Sequence, residues 1–266
     1  MQIPRSEYYY HKSAKPNTYK ENNKILDKKI LEKYQESKCR YGSPKIKKEL
    51  EKEGIIASQK RIARRMNALD IRSITVKKYN PGPSKKKVDD TNKPNLLEQN
   101  FKAEGLREKL VSDITYIYTK EIGWTYLAIV MDLYSLAVIG YSYGIKMDAD
   151  LVIRAISNAR TKGKFKEGAI FHSDLGTQYT SDKVEKYLQK LGLMHSYSKK
   201  GYPYDNASME SFNAILKKEE VNLHEYSTFE EARMVIFEFI EGWYNRKRIH
   251  SSIGYKIPYE LEKNSI

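Results

Sequence analysis

The chain has 266 residues, with 48 Lys and Arg against 34 Asp and Glu, so its formal net charge at pH 7 is +14. A hydrophobic fraction of 40% with 22 tyrosines excludes a disordered chain, and the length allows one sizeable core and a smaller unit. No apolar run approaches the ~20 residues that span a bilayer, and we expect no secretory signal. The single cysteine, Cys39, excludes a disulfide framework and a cysteine-based zinc site.

The positive charge is concentrated in the first 100 residues. These carry 25 Lys and Arg against 12 Asp and Glu, whereas residues 101–266 carry 23 against 22. An excess of this size attracts a polyanion such as nucleic acid. A lysine-rich solvated surface is the alternative, and it explains the abundance of lysine but not the asymmetry.

Residues 1–76 are predicted to form a small all-α domain. Its helices are expected at Asn22–Tyr34, Pro44–Lys52 and Gln59–Leu69. Ser43 and Ser58 are the expected N-caps of the last two. Two short helices joined by a glycine-containing turn are typical of a helix-turn-helix, although a packing module has the same pattern. The candidate DNA contacts on its second helix are Arg61, Arg64 and Arg65.

Residues 77–99 are predicted to be a basic linker, and residues 100–266 an α/β domain with a helical C-terminal extension. The expected strands are Leu110–Tyr118, Trp124–Leu133, Leu136–Gly144, Ala169–His172 and Met194–Tyr197. The expected helices are Asp148–Arg160, Ser181–Leu191, Asn206–Val221 and Phe229–Tyr244. Three antiparallel strands followed by alternating helices and strands are the order of an RNase H-like domain.

Three acidic residues lie where this domain would place a site. Asp113 interrupts an apolar strand, where a carboxylate is unfavourable unless it is paired or bound to metal. Asp174 follows a short buried strand, and Glu210 lies on a later helix. Carboxylates that converge from different elements suit phosphoryl transfer with two divalent cations. A fourth acid, Asp132, and a histidine, His172, have open roles: His172 either orients a ligand or is structural.

Four segments carry a family resemblance: SDITYIYT, FHSDLGTQYTS, YDNASMESFNAILKKE and YNRKRIHSSIGYKIPYEL. They resemble OrfB-type transposases of the insertion sequence 3 family, whose catalytic core is shared with retroviral integrases. The segment YGSPKIKKELEKEGIIASQKRIARRMNALDI resembles that family's helix-turn-helix, so the resemblance covers nearly the whole chain. Thirty-five residues separate Asp174 from Glu210, as in the family's Asp-Asp-Glu triad. Val111 and Leu136 depart from the family's usual Trp and Arg, but neither position supplies a metal ligand.

The resemblance implies a metal-dependent transposase that cleaves DNA strands and transfers them during transposition of an insertion sequence. The implied catalytic and metal-binding residues are Asp113, Asp174 and Glu210, holding two Mg²⁺ ions per site, with Mn²⁺ able to substitute. Lys217 follows Glu210 by about two helical turns and is expected to hold a DNA phosphate. Arg246 and Arg248, in a basic C-terminal cluster, are further DNA candidates, although a solvated helix end is the competing interpretation.

The implied partners are double-stranded DNA, as terminal inverted repeats and target, further copies of the chain, and an upstream-frame OrfA-type protein, separate or fused. The expected localisation is the bacterial cytoplasm, at the nucleoid and not at a membrane. Three loop tyrosines are expected either to stack on bases or to fill space: Tyr179, Tyr202 and Tyr204. The alternative functions are a catalytically silent or domesticated DNA-binding protein of the same fold, and an RNase H-like nuclease without strand transfer.

Overall fold

The chain divides into two compact units, Met1–Val76 and Lys77–Ile266. The computed structural model describes residues 4–5, 18–75, 93–198 and 206–263. Most of the predicted linker 77–99 therefore lies outside the described residues, and the division into 1–76, 77–99 and 100–266 stays a prediction. Within the described ranges, no helix is long and apolar enough to cross a membrane.

The described residues of the first unit include three long helices: α1 (Thr18–Glu36), α2 (Ser43–Lys52) and α3 (Gln59–Ala68). Their small core is made of Leu26, Ile30, Ile46, Leu50, Ile62 and Met66. Ser58 caps α3, because its side chain accepts a hydrogen bond from the amide of Arg61. The predicted cap at Ser43 is wrong: Gly42 occupies the cap position of α2, and Ser43 is already helical.

The second unit is built on a five-stranded sheet of order β3-β2-β1-β4-β5. The strands are β1 (Lys109–Thr119), β2 (Gly123–Asp132), β3 (Val138–Gly144), β4 (Ile170–Ser173) and β5 (Met194–Tyr197). The first three are antiparallel neighbours, whereas β1, β4 and β5 run parallel to each other. All five predicted strands are confirmed, in the order predicted along the chain.

The helices of this unit are α4 (Ala149–Thr161), α5 (Asp182–Lys190), α6 (Ala207–Glu219), α7 (Phe229–Phe237) and α8 (Pro258–Lys263). In the described part of this unit, 3₁₀ turns cover Val221–Leu223 and Ser251–Ile253. Helix α4 packs closely on β3, since a Cβ at Gly140 would lie 2.3 Å from the carbonyl oxygen of Ala155. Only glycine permits this approach. Helix α6 packs against β1, which sets the position of the candidate site.

The predicted helix Phe229–Tyr244 is not a single α-helix. After α7 ends at Phe237, the chain continues as a π-helix over Glu238–Tyr244. The wider turn buries both Trp243 and Tyr244, and the indole Nε1 of Trp243 donates to Oε2 of Glu219 at 2.9 Å. Tertiary contacts therefore override the regular α-helical period in this segment.

Candidate active site

Asp113 lies near the middle of β1 and is partly exposed between two buried neighbours, Ser112 and Ile114. The amide Nδ2 of Asn213, on α6, donates to its Oδ2 at 2.8 Å. Since α6 packs against β1 at this point, the helix and the strand together hold the carboxylate in place.

Asp174 directly follows β4, the parallel neighbour of β1. Val111 is paired with His172, so Asp113 and Asp174 each lie two residues further along adjacent parallel strands. The amide of Gly176 donates to Oδ1 of Asp174 at 2.9 Å. A Cβ at Gly176 would lie 2.9 Å from that same oxygen, so a side chain at this position would displace the carboxylate.

Glu210 lies in the first turn of α6 and is exposed. Asn213, one turn later on the same helix, bonds to Asp113. This spacing places Glu210 and Asn213 on one face of α6, towards β1. The three acids thus come from a strand, a strand end and a helix start.

The electrostatics of the three carboxylates are coupled. Burial and then the negative charge of Asp174 raise the pKa of Asp113 to about 7, and the charge of Glu210 also contributes. The Ile114 amide and Asn213 oppose this rise, because they hydrogen-bond to the ionised form. Burial also raises the pKa of Asp174 and of Glu210. Negative charges that repel one another in a pocket are stabilised when a cation binds between them.

The donor set suits Mg²⁺ without forming a closed cage. Among the described residues, no group of three Asp, Glu, His or Cys side chains is arranged to hold one ion. Magnesium is commonly bound through one or two carboxylates, with water and substrate phosphate as the remaining ligands. Oxygen donors on separate elements, with raised pKa values, fit that mode of binding.

A buried tyrosine supports the strand beneath the acids. The hydroxyl of Tyr179 lies 2.8 Å from Oγ of Ser112. The Ser112 hydroxyl in turn donates to the carbonyl oxygen of Ile129 at 2.7 Å. Tyr179 is fully buried, so the expectation that it stacks on bases is wrong. The other two loop tyrosines, Tyr202 and Tyr204, lie outside the described residues.

His172 and Asp132 both serve the architecture. His172 is fully buried, and its Nδ1 lies 2.8 Å from Oγ of Ser196 on β5. Asp132 is also fully buried, and its Oδ2 accepts from the amide of Arg107 at 2.6 Å. The Arg107 guanidinium binds Asp132 at 3.3 Å and both carboxylate oxygens of Glu262. Asp132 therefore ties the end of β2 to α8.

Three arginines on α3 are predicted to contact DNA, and two of them bind side chains of α1 in the same unit. Arg65 forms a bidentate ion pair with Asp27 of α1, at 2.7 and 2.5 Å, and Arg61 donates to Oδ1 of Asn23 at 2.9 Å. Arg64 alone of the three is exposed. Arg61 and Arg65 therefore help to hold α3 against α1, whereas Arg64 keeps an exposed side chain. DNA contact by any of the three stays a prediction.

The residues of the second unit that are predicted to contact DNA also differ in how far they are buried. Arg248 is buried, and its guanidinium donates to the carboxylate of Glu219 at 2.8 to 3.1 Å, so this structure does not present it to DNA. Arg246 is exposed and lies over the ring of Tyr259. Lys217 is half-buried on α6.

Asn213 is the site residue that sequence reasoning missed. An available signal was its position three residues after Glu210, on the same helical face. An uncharged side chain has no metal-ligand signature of its own, so its role emerges only from its hydrogen bond to Asp113.

Each of the two units matches a model of a known protein family. A family model described as "Integrase core domain" matches residues 105–203, and a second model of that description matches residues 191–258. A model described as "HTH-like domain" matches residues 20–79.

Curated relatives match over nearly their full length. The transposase for insertion sequence element IS904 of Lactococcus lactis is 38% identical over 253 residues, 94% of this chain and 98% of the relative. Transposase InsF for insertion sequence IS3A of Escherichia coli K12 is 34% identical over 268 residues, 100% of this chain and 92% of the relative.

A solved structure with a TM-score of 0.50 supports the fold. A chain of the simian T-cell lymphotropic virus intasome, in complex with PP2A regulatory subunit B56 gamma, matches with a TM-score of 0.50. The match has 14% identity and covers 88% of this chain and 74% of that one. The HTLV-2 integrase catalytic core domain, in complex with magnesium, matches 60% of this chain and 99% of its own, at 17% identity and TM-score 0.45. The core is thus RNase H-like, as the order of elements predicted.

Proposed function

The chain belongs to the IS3 family of transposases, and we propose that Asp113, Asp174 and Glu210 are the carboxylates at which it cleaves and joins DNA strands. As a transposase with an integrase core, it acts in DNA transposition. The observation that supports these residues is their electrostatic coupling, since the charges of Asp174 and Glu210 both raise the pKa of Asp113. Carboxylates that oppose one another's ionisation are stabilised by cations held between them.

The proposed cofactors are two Mg²⁺ ions per site, with Mn²⁺ able to substitute, held by the three acids. When bound, they would activate the attacking oxygen and stabilise the leaving 3′-oxygen of a phosphodiester. Asn213 orients the carboxylate of Asp113, and the amide of Gly176 orients that of Asp174. Fixed carboxylates lower the reorganisation needed when the DNA end arrives.

The proposed substrate is double-stranded DNA, as the element's terminal inverted repeats and the target. Lys217, Arg64 and Arg246 are the retained candidates for phosphate contact, because each keeps an accessible surface. Arg61, Arg65 and Arg248 are not retained, because each is engaged within its own unit. The proposed assembly is a multimer on DNA, with an OrfA-type partner, separate or fused, and its place is the bacterial cytoplasm at the nucleoid.

The test is a joining assay with Glu210→Gln, using labelled ends of the element that encodes the chain, a target plasmid and Mg²⁺. Glu230→Gln is the matched control, because Glu230 also lies in the first turn of an exposed helix, α7. We expect Glu210→Gln to abolish nicking and joining while DNA binding persists, since affinity comes mainly from Lys and Arg contacts with phosphate. Glu230→Gln should behave as wild type.

Near-normal joining by Glu210→Gln would refute the assignment of the triad. No observation favours the catalytically silent alternative, and that alternative predicts that wild type itself neither nicks nor joins DNA. A nuclease without strand transfer would nick the element's ends but form no joined product.

A further inference from the structure

Four aromatic side chains form a ladder across the hairpin of β1 and β2. Tyr116 is paired with Tyr126, and Tyr118 with Trp124, so the four lie on one face of the sheet. The ring centroids of the two pairs lie 5.6 and 5.4 Å apart, with the rings edge to face. Tyr116, Tyr118 and Trp124 nevertheless remain 46%, 54% and 60% exposed.

The exposed rings line a groove of about 350 Å³. Its other lining residues come from the end of α6 and the chain after it, among them Lys217 and Asn222. Within the part of the chain that the structure describes, Lys217 has no ion-pair partner, whereas Lys120 in the same groove binds Glu225 at 2.7 Å. Ring contacts alone stabilise a hairpin, but they do not account for an unpaired ammonium beside the open rings.

Helix α6 links the candidate active site to the groove, because Lys217, which lines the groove, lies one helical turn after Asn213 on the same face of the helix. Strand β4 pairs with β1 only from Lys109 to Val111. Among the described residues, no strand pairs with this edge of β1 between Val111 and the bridge of Thr119 with Tyr226. Side chains alternate along β1, so Asp113 faces one side of the sheet and Tyr116 and Tyr118 face the other. The groove therefore adjoins the candidate active site through α6, at this edge of the sheet.

We propose that this groove binds unpaired bases of DNA beside the active site, with the bases stacked on Tyr116, Tyr118 and Trp124 and a phosphate held by Lys217. Open aromatic rings together with a free cation are the combination that binds single strands without sequence preference. Bases inside a duplex are covered on both faces by their neighbours, so an unpaired strand is the DNA form that offers a face to these rings. The inference rests on the proposed function for the presence of DNA, but the binding step itself requires no chemistry.

Fluorescence of Trp124 tests the proposal without catalysis. The chain has two tryptophans, of which Trp124 is 60% exposed and Trp243 is 6% exposed, so a base stacking in the groove quenches the first. The full chain carrying Asp113→Asn is titrated with a single-stranded oligothymidine and with a blunt duplex of the same length. We expect saturable quenching by the single strand, little by the duplex, and none in the variant that also carries Trp124→Phe.

Tyr118→Ala, in the same Asp113→Asn chain, should weaken this single-strand binding about fivefold or more. The matched control is Phe237→Ala, which removes an exposed ring of α7 that does not line the groove and should change nothing. Equal quenching by duplex and single strand, or equal binding by the two variants, would overturn the proposal. Quenching that rises with protein concentration in the absence of DNA would instead assign the groove to a second copy of the chain. Because no joining is measured, these outcomes are separate from the Glu210→Gln result.

Discussion

Replacing Asp113 by Asn should make the metal-free protein more stable than wild type at neutral pH. Folding holds the Asp113 carboxyl in a partly buried pocket beside the charge of Asp174, and together these raise its pKa from 3.8 to about 7. The amide of Asn is nearly isosteric, and its oxygen still accepts the hydrogen bond from Asn213. The substitution therefore removes the charge while keeping the contact.

The size of the effect follows from this pKa difference. If the unfolded chain keeps the ordinary pKa of Asp113, ionising this group in the folded state costs up to about 4 kcal/mol. Because the side chain is partly exposed, solvent screens the charge, and we expect about 1–2 kcal/mol. Between about pH 4 and pH 7 the folded state binds a proton that the unfolded state has lost, so the stability of wild type falls across this window. The advantage of Asp113→Asn should grow over the same window and stay constant above it.

Urea unfolding in EDTA, followed by tryptophan fluorescence, measures this difference. Both tryptophans lie in the second unit, so the signal reports the unit that carries Asp113. Addition of Mg²⁺ at ten times its dissociation constant should stabilise wild type by about 1.4 kcal/mol, with a smaller gain for Asp113→Asn. The matched control is Asp182→Asn, an exposed acid at the start of α5, which should show neither effect. A stability difference for Asp113→Asn that is independent of pH would refute the reasoning.

Substitutions at four further residues test the surroundings of the triad and the DNA contacts. Asn213→Ala removes the donor to Asp113, which raises the pKa of that carboxyl further, so joining should fall about tenfold at pH 7 and recover towards pH 8.5. Lys217→Ala should lower strand transfer about tenfold with metal binding retained, whereas Lys217→Arg should keep most activity. Arg64→Ala should reduce the salt dependence of DNA affinity by about one phosphate contact. Arg65→Ala should instead destabilise the first unit by about 1–3 kcal/mol, because it leaves the Asp27 carboxylate without its partner.

Three of these expectations would be contradicted by the following results. A rate for Asn213→Ala that is reduced equally at every pH would mean that the amide does not act through the charge of Asp113. Equal strand transfer by Lys217→Ala and wild type would return that lysine to the solvated surface. Unchanged stability for Arg65→Ala, measured by circular dichroism, with weakened DNA binding, would restore Arg65 as a DNA contact.

Local sequence patterns predicted most of the second unit. The apolar strands on either side of Gly123 depend on neighbouring residues, so they can be recognised without the fold. The same holds for the spacing between Asp174 and Glu210, which follows from the family resemblance. The approach of Asp174 to Asp113 follows once β1 and β4 are known to be parallel neighbours, whereas that of Glu210 depends on the packing of α6 against β1.

The sequence by itself determined the family, the order of the elements and which carboxylates to examine, because each of these is written in short or regularly spaced patterns. The tertiary structure alone decided which charged and aromatic side chains remain available. Arg65 and Asp27, or Arg248 and Glu219, lie far apart in sequence and meet only after folding. The exposure of the ladder with Trp124 likewise depends on which elements cover that face of the sheet. Burial of a side chain is set by partners elsewhere in the chain, and no local periodicity records them.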